Sequence, residues 1–377
     1  MKVGILTFFR PINNGAVLQA CATNSIVLPK MGVDSELIDY RIRRIEVDRK
    51  LFGIVRIMNE PDLIKRIRRI FADVARLPAN YTQRNLYDKF IKKYLRISDQ
   101  VYLSHEELIQ KCQGYDAYIV GSDLVWSPLM AEGVNPTYFL DFVKGNVPKI
   151  AYAPSIGTTN LSGREFKDYK KNLIHLDYVS VREKSAADQL GPLTEKAITT
   201  VLDPTLLTID SEWDNFYSKT PLIQEDYIFA ISLEKSDKLI ETVNQLAYQN
   251  NCIVVAFGRK NNKYKGRRVI FTESSCGPSE FLNLIKNAAC VVSNSYHGCA
   301  FSIVFHKDFY CIPHSTRGIR MIDLLNSLGL EDRIVCENSD IKADLDNKRA
   351  INYILVERER NMLMDESYKY LQIALNK

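Results

Sequence analysis

The stretch Val3-Gly4-Ile5-Leu6-Thr7-Phe8-Phe9-Arg10-Pro11-Ile12-Asn13-Asn14-Gly15-Ala16-Val17-Leu18-Gln19-Ala20 reads strand, turn, helix. Val3 to Phe9 is a short apolar run of buried-strand type, Arg10 to Gly15 is turn chemistry, and a helical pattern begins at Ala16. Ser35 to Tyr40 follows as a second strand. A strand, helix, strand opening predicts a parallel sheet with helices on its faces.

The same alternation continues outward from this opening. Ala117–Val120, Ile150–Ala153 and Tyr178–Val181 read as strands. Asp203-Pro204 marks a turn and the end of a first domain. Alternation resumes with strands at Tyr227–Leu233, Ile253–Gly258, Ala289–Ser293 and Phe309–Ile312, a helix at Pro278–Asn287, and one long helical pattern from Asn347 to Leu375. The expected fold is α/β: two Rossmann-like lobes facing a central cleft, with a C-terminal helix. The boundaries are 1–205 for an N-terminal lobe with a basic helical insertion near 41–96, 206–345 for a C-terminal lobe, and 346–377 for the helix.

Length and composition agree with this division. A chain of 377 residues is long for one core. Its 46% hydrophobic and 25% charged residues are those of a globular protein rather than a disordered one. No apolar run approaches the roughly 18 residues that span a bilayer, and the N-terminus lacks a signal-peptide core. The eight cysteines are scattered, without CxxC or metal-ligand spacing. They read as small reduced core residues, so a cytoplasmic location, no metal and no cofactor are expected. The formal charge of +5 is unevenly spread: residues 41–96 hold sixteen Lys or Arg against six acids, which leaves the remainder acidic.

Ligands of parallel sheets bind at the carboxyl ends of strands. Five polar clusters follow strands: Arg10–Gly15, Gly121-Ser122-Asp123, Ser155-Ile156-Gly157, Arg182-Glu183-Lys184 and Ser293-Asn294-Ser295-Tyr296-His297-Gly298. In the last, His297 opens a helix at the cleft mouth, where free N–H groups favour an anion and a protonated histidine can act as a general acid. Gly298 would let backbone approach a ligand. A capping or packing histidine is the plainer alternative. Arg182 could clamp a carboxylate or phosphate, or simply start a solvated helix. Asn14 and Gly15 could hold a sugar or phosphate, or form an ordinary turn. Ser122, Asp123 and Trp126 resemble a hydroxyl acceptor beside an aromatic platform, although a capping Asp and a core Trp read equally well. There is no Walker or GxGxxG loop. The basic segment admits a nucleic-acid surface, a solvated helix face, or a surface helix resting on anionic lipid headgroups. Its interleaved Ile, Leu and Val rather than stacking aromatics disfavour nucleic acid.

Taken in order, Gly4–Phe8, Asn14–Ala20, Asp116–Trp126, Ser180–Ser185, Val201–Leu206 and Ser295–Gly298 resemble the polysaccharide pyruvyl transferase family, from the first strand to about Leu330. The resemblance implies a fold like the two-lobed GT-B glycosyltransferases. It also implies phosphoenolpyruvate as co-substrate and a sugar of a surface polysaccharide, or of its lipid-linked (polyprenyl) precursor, as acceptor. His297 would be the acid and Arg182 would bind the donor's anionic groups. Many members carry an arginine where this chain has Ser295, so Arg10, Arg317 or Arg320 would supply that contact, or the donor differs. The alternatives are a GT-B glycosyltransferase using a sugar nucleotide and a non-catalytic carbohydrate-binding protein. With a lipid-linked acceptor, the basic segment would make peripheral contact with the inner face of the membrane.

Overall fold

The computed structural model describes residues 1–49, 62–258, 260–336, 341–342, 345 and 349–376; Lys50, Arg56 and Glu60 of the basic segment and residues 346–348 lie outside them. Two parallel sheets organise the chain. The first holds β1 (Lys2–Leu6), β2 (Asp34–Tyr40), β3 (Ile97–Tyr102), β4 (Ala117–Val120), β5 (Lys149–Ala151), β6 (Tyr178–Val181) and β7 (Ile198–Thr200). The second holds β8 (Tyr227–Ser232), β9 (Ile253–Gly258), β10 (Val269–Phe271), β11 (Cys290–Ser293) and β12 (Phe309–Cys311). The spatial orders are 3-2-1-4-5-6-7 and 10-9-8-11-12, so each sheet reverses direction beside its first strand, between β1 and β4 and between β8 and β11. β3, β7 and β10 were not expected. They lie at or near sheet edges, where short, half-exposed strands carry little apolar signal.

The helices are α1 (Asn14–Cys21, prolonged through a π-helical stretch to Lys30), α2 (Arg43–Asp48), α3 (Leu63–Tyr94), α4 (His105–Lys111), α5 (Gly163–Leu173), α6 (Lys184–Leu190), α7 (Asp237–Gln249), α8 (Pro278–Asn287), α9 (Tyr296–Val304), α10 (Ile319–Ser327) and α11 (Tyr353–Ala374). Asn13 caps α1, its side chain accepting from the Ala16 amide at 3.0 Å. The helical pattern expected from Asn347 begins at Tyr353 in the described residues.

α3 departs from expectation in length. The helical spacing of Leu63, Ile64, Ile67, Ile70, Phe71 and Val74 between Pro61 and Pro78 predicts a short helix bounded by the two prolines, yet the helix starts after Asp62, which caps the Lys65 amide at 3.0 Å, and runs through Pro78 to Tyr94. A proline inside a helix costs a backbone hydrogen bond. Here it sits on an exposed stretch, where water can satisfy the released carbonyl.

Alternate residues of the strands feed different faces. Val3 and Ile5 join Val17, Phe229, Phe301 and Leu371 in a core that runs from one lobe into the other, while Leu6, Tyr118 and Val120 pack on the opposite face of the first sheet. Such two-sided burial is what parallel strands require. At the junction Trp213 meets Phe301 edge-on at 5.0 Å, and its indole N–H donates to Thr208 Oγ1 at 2.7 Å. α11 then ties the halves together. Tyr353 donates to the Lys307 carbonyl, whereas Ser367 accepts from the Leu202 amide and Tyr370 donates to the Ala151 carbonyl.

Candidate functional site

The two reversal points face one another. β1 leads into the Asn13 cap and α1, and β11 leads into Ser295, whose Oγ accepts from the Gly298 amide at 3.4 Å as the cap of α9. Each cap side chain satisfies a helix N–H, so a polar turn follows each strand without breaking the chain's hydrogen bonding. The two helix starts meet closely. A Cβ on Gly15 would lie 2.2 Å from His297 Nδ1, so only glycine lets the histidine ring reach this position. Gly298 does a different job from the one expected. A Cβ there would strike Ser293 Oγ at 2.3 Å and Ile231 Cδ1 at 3.0 Å, so it seats α9 on the sheet and offers no surface to a ligand.

Asp203 forms the centre of the site. It is fully buried, and its Oδ1 accepts from the Thr205 amide at 3.0 Å and from Thr205 Oγ1 at 2.8 Å. Its Oδ2 lies 2.8 Å from Arg182 Nη1, 2.9 Å from Ser122 Oγ and 3.7 Å from His297 Nε2. Burial opposes ionisation of this carboxyl, but His297 and Arg182 outweigh it and hold it well below the usual carboxylate range. The sequence reading treated Asp203 only as a domain-end turn within the family pattern. The missed signal is that a carboxylate at a strand-to-helix turn between apolar runs is buried, and a buried carboxylate demands cations.

Arg182 is equally buried. Its guanidinium lies 4.1 Å from the ring centre of Tyr296, with Asp123 Oδ1 at 3.6 Å and Glu183 Oε2 at 3.7 Å. Burial alone would lower its pKa, but the carboxylates of Asp203, Asp123 and Glu183 raise it. Arg320 of α10 approaches the same ring, 5.8 Å from its centre, and lies 4.0 Å from Asp123 Oδ1. Burial, then the neighbouring Arg182 charge, lowers its pKa to about 10. It remains a cation at neutral pH, but one paired less fully than Arg182. Tyr296, which the sequence does not single out, thus has two guanidinium groups against its ring, a contact that lowers the cost of bringing them together.

Several buried polar atoms here make no hydrogen bond among the described residues: both amide atoms of Asn14, and Arg182 Nε and Nη2, Glu183 Oε2 and His297 Nε2, which face opposite charges only at 3.6–3.7 Å. Leaving such groups unmet costs about 1–3 kcal/mol each, and their convergence from both lobes marks a place built to meet a polar ligand. Among the described residues no group of His, Cys, Asp and Glu has the arrangement of a metal site.

Arg10, Trp126 and Arg317 are placed otherwise, while Ser122 belongs to the site as a support of Asp203. Arg10 is held by Glu46, at 2.5 and 3.0 Å, and by Asp39 at 3.9 Å, away from Arg182. Trp126 is buried, stacks on Phe139 at 4.8 Å and donates to the Tyr138 carbonyl at 2.7 Å, which makes it a core residue and no sugar platform. Ser122 is fully buried within the Asp203 network. Asn14, Gly15, Asp123, Arg182, Ser295, His297 and Arg320 are brought together. Arg317 instead donates to His314 at 2.8 Å.

Two facing parallel lobes joined by a returning C-terminal helix define the GT-B fold, and solved structures agree. An α-glucosyltransferase solved with UDP and DNA has a TM-score of 0.54 at 10% identity, covering 100% of both chains. A putative UDP-N-acetylglucosamine 2-epimerase from Listeria monocytogenes has 0.53 at 10% identity, covering 99% of this chain and 94% of its own. The S. aureus protein MnaA with UDP has 0.51 at 9% identity, covering 100% and 96%. At such identities the likeness is one of fold. No curated protein matches the sequence. The profile of the polysaccharide pyruvyl transferase family matches residues 13–316, and the chain belongs to that family. It is thus a transferase of polysaccharide biosynthesis by family.

Proposed function

We propose that this protein moves pyruvate from phosphoenolpyruvate to two hydroxyls of a sugar, on a surface polysaccharide or on its lipid-linked precursor at the cytoplasmic face of the membrane. The observation that carries the donor is the buried pair Arg182 and Arg320 around Tyr296, with unmet Arg182 and His297 nitrogens beside them. Phosphoenolpyruvate brings a carboxylate and a phosphate, which suit two fixed guanidinium groups. Arg320 would thereby take the part of the arginine that many family members carry where Ser295 stands.

In the proposed reaction His297 gives its proton to the methylene carbon, and positive charge develops at the adjoining carbon, stabilised by its own oxygen. One sugar hydroxyl adds there and returns a proton to His297. Phosphate leaves with the bridging oxygen, and the second hydroxyl closes the ketal as its proton passes to phosphate. The Asp203 carboxylate lies 3.7 Å from Nε2 and would face the imidazole that carries this proton. An open cavity of about 750 Å³ at the carboxyl ends of β8 and β9, lined by Lys235, Ser236, Lys260 and Asn261, offers room for a sugar acceptor, and its lysines suit a phosphorylated one.

The test is a binding titration of phosphoenolpyruvate and of a UDP-hexose against the wild type, Arg320→Ala and His297→Ala. Saturable phosphoenolpyruvate binding that weakens at least about tenfold without Arg320, as expected for a lost charged hydrogen bond, and largely survives without His297 supports the reading. Binding of the UDP-hexose alone would put a glycosyltransferase in its place.

A further inference from the structure

α3 is two helices in one. Its C-terminal half is anchored to both lobes. Ser25 of the first lobe donates to the Tyr94 carbonyl at 2.6 Å, while Tyr94 donates to the Asn215 carbonyl at 2.7 Å and Gln83 to the Glu273 carbonyl at 2.8 Å in the second. The N-terminal half turns an apolar face to solvent. Leu63, Ile64, Ile67, Ile70, Phe71 and Val74 are all exposed, Phe71 by 70% and Leu63 by 65%.

The exposed apolar residues are ordered. At about 100° per residue they fall on one stripe of the helix, with Arg66 and Arg68 along its two borders and Lys65, Arg69 and Arg76 behind. A stripe this wide on a helix normally faces a core. Six such side chains left in water along less than four turns need another partner. The helix adjoins the cleft: Arg49 donates both to the Arg10 carbonyl, at the carboxyl end of β1, and to Asp88 of α3. No helix among the described residues is long and apolar enough to cross a membrane.

We infer that residues 63–77 form an interfacial helix that docks this protein onto an anionic lipid bilayer, the apolar stripe at the acyl boundary and the bordering arginines among the headgroups. Charge complementarity selects this occupant. A second copy of the helix laid against the stripe would bring arginine borders together, whereas an anionic bilayer offers acyl chains flanked by negative headgroups. Docking would present the cleft to an acceptor carried in the membrane. That purpose rests on the proposed function, but the docking itself does not.

The experiment is co-sedimentation of the full chain with vesicles of mixed phosphatidylglycerol and phosphatidylcholine, and with phosphatidylcholine alone. Two variants accompany the wild type, Ile67→Ser/Phe71→Ser and Lys65→Glu/Arg68→Glu, each checked for an unchanged denaturation midpoint. The expected result is binding to the mixed vesicles that falls with added salt, and that falls at least about tenfold in either variant as apolar area or surface charge is lost. Phosphoenolpyruvate binding should stay unchanged in both variants, so a failed donor assignment and a failed docking site are read separately. No vesicle binding, binding unaffected by both variants, or equal binding to neutral vesicles overturns the inference. So does a wild-type dimer that Ile67→Ser/Phe71→Ser converts to a monomer in the absence of vesicle binding.

Discussion

Asp203 gathers Arg182, Ser122 and Thr205 onto two oxygens, with His297 just beyond hydrogen-bond reach. Removing its charge takes from a buried guanidinium the only counter-charge among the described residues within hydrogen-bond distance, leaving Asp123 and Glu183 at 3.6 and 3.7 Å. Asp203→Asn is therefore expected to destabilise the protein by about 3–5 kcal/mol at neutral pH, the cost of breaking a buried ion pair from one side. The pH dependence follows from the depressed carboxyl. Its stabilisation is complete above the ordinary carboxylate range near pH 4 and fades as pH falls toward the folded-state value. Denaturant titrations at pH 7 and at about pH 3 should show the gap between wild type and variant narrowing in acid; a constant gap would mean that charge is not what Asp203 contributes. At this scale the sequence showed which residues follow strands, and that was enough to nominate Arg182 and His297. It did not show that Arg10 is spent on Glu46, because that pairing joins residues 36 apart in the chain. Nor did it show that Gly15 is a clearance for a histidine from the other lobe.

The long helix α3 shows what periodicity can and cannot say about an element. Its apolar residues recur at helical spacing from Leu63 to Val74, so a helix was legible. Whether the stripe meets a core or water was not, since both produce the same pattern. The two halves make opposite predictions. Phe71→Ser, on the exposed half, should change unfolding free energy by no more than about 0.5 kcal/mol. Phe90→Ala, buried against Tyr94, should cost about 3–5 kcal/mol. Thermal or urea denaturation distinguishes them, and a large loss for Phe71→Ser would show that the outer half is packed against the body. The reach of the helix past Pro78 was also hidden, because a proline's cost depends on whether its released carbonyl meets water or protein.

Across the whole molecule α11 acts as a strap. Arg360, almost wholly buried, donates to the Leu206 and Thr208 carbonyls of the linker between the lobes and pairs with Glu357, while His306 Nε2 of the second lobe lies 3.0 Å from the same carboxylate. Wild-type protein is thus expected to unfold in one calorimetric transition. Arg360→Met, which leaves two linker carbonyls unmet, should lower stability by about 2–5 kcal/mol, and truncation before Tyr353 should split the transition in two. A single, unshifted transition in both would remove the strap from the account. The order of apolar runs and turns by itself determined that two parallel α/β lobes would form, and that polar clusters would end their strands, because those are local consequences of burial period and turn chemistry. Only the tertiary structure decided which clusters meet. Switch points in two separate sheets, a glycine's missing Cβ and one buried carboxylate bring Asn14, Arg182, His297 and Arg320 together, and each of those contacts depends on residues far apart in the chain, whose proximity no local pattern encodes.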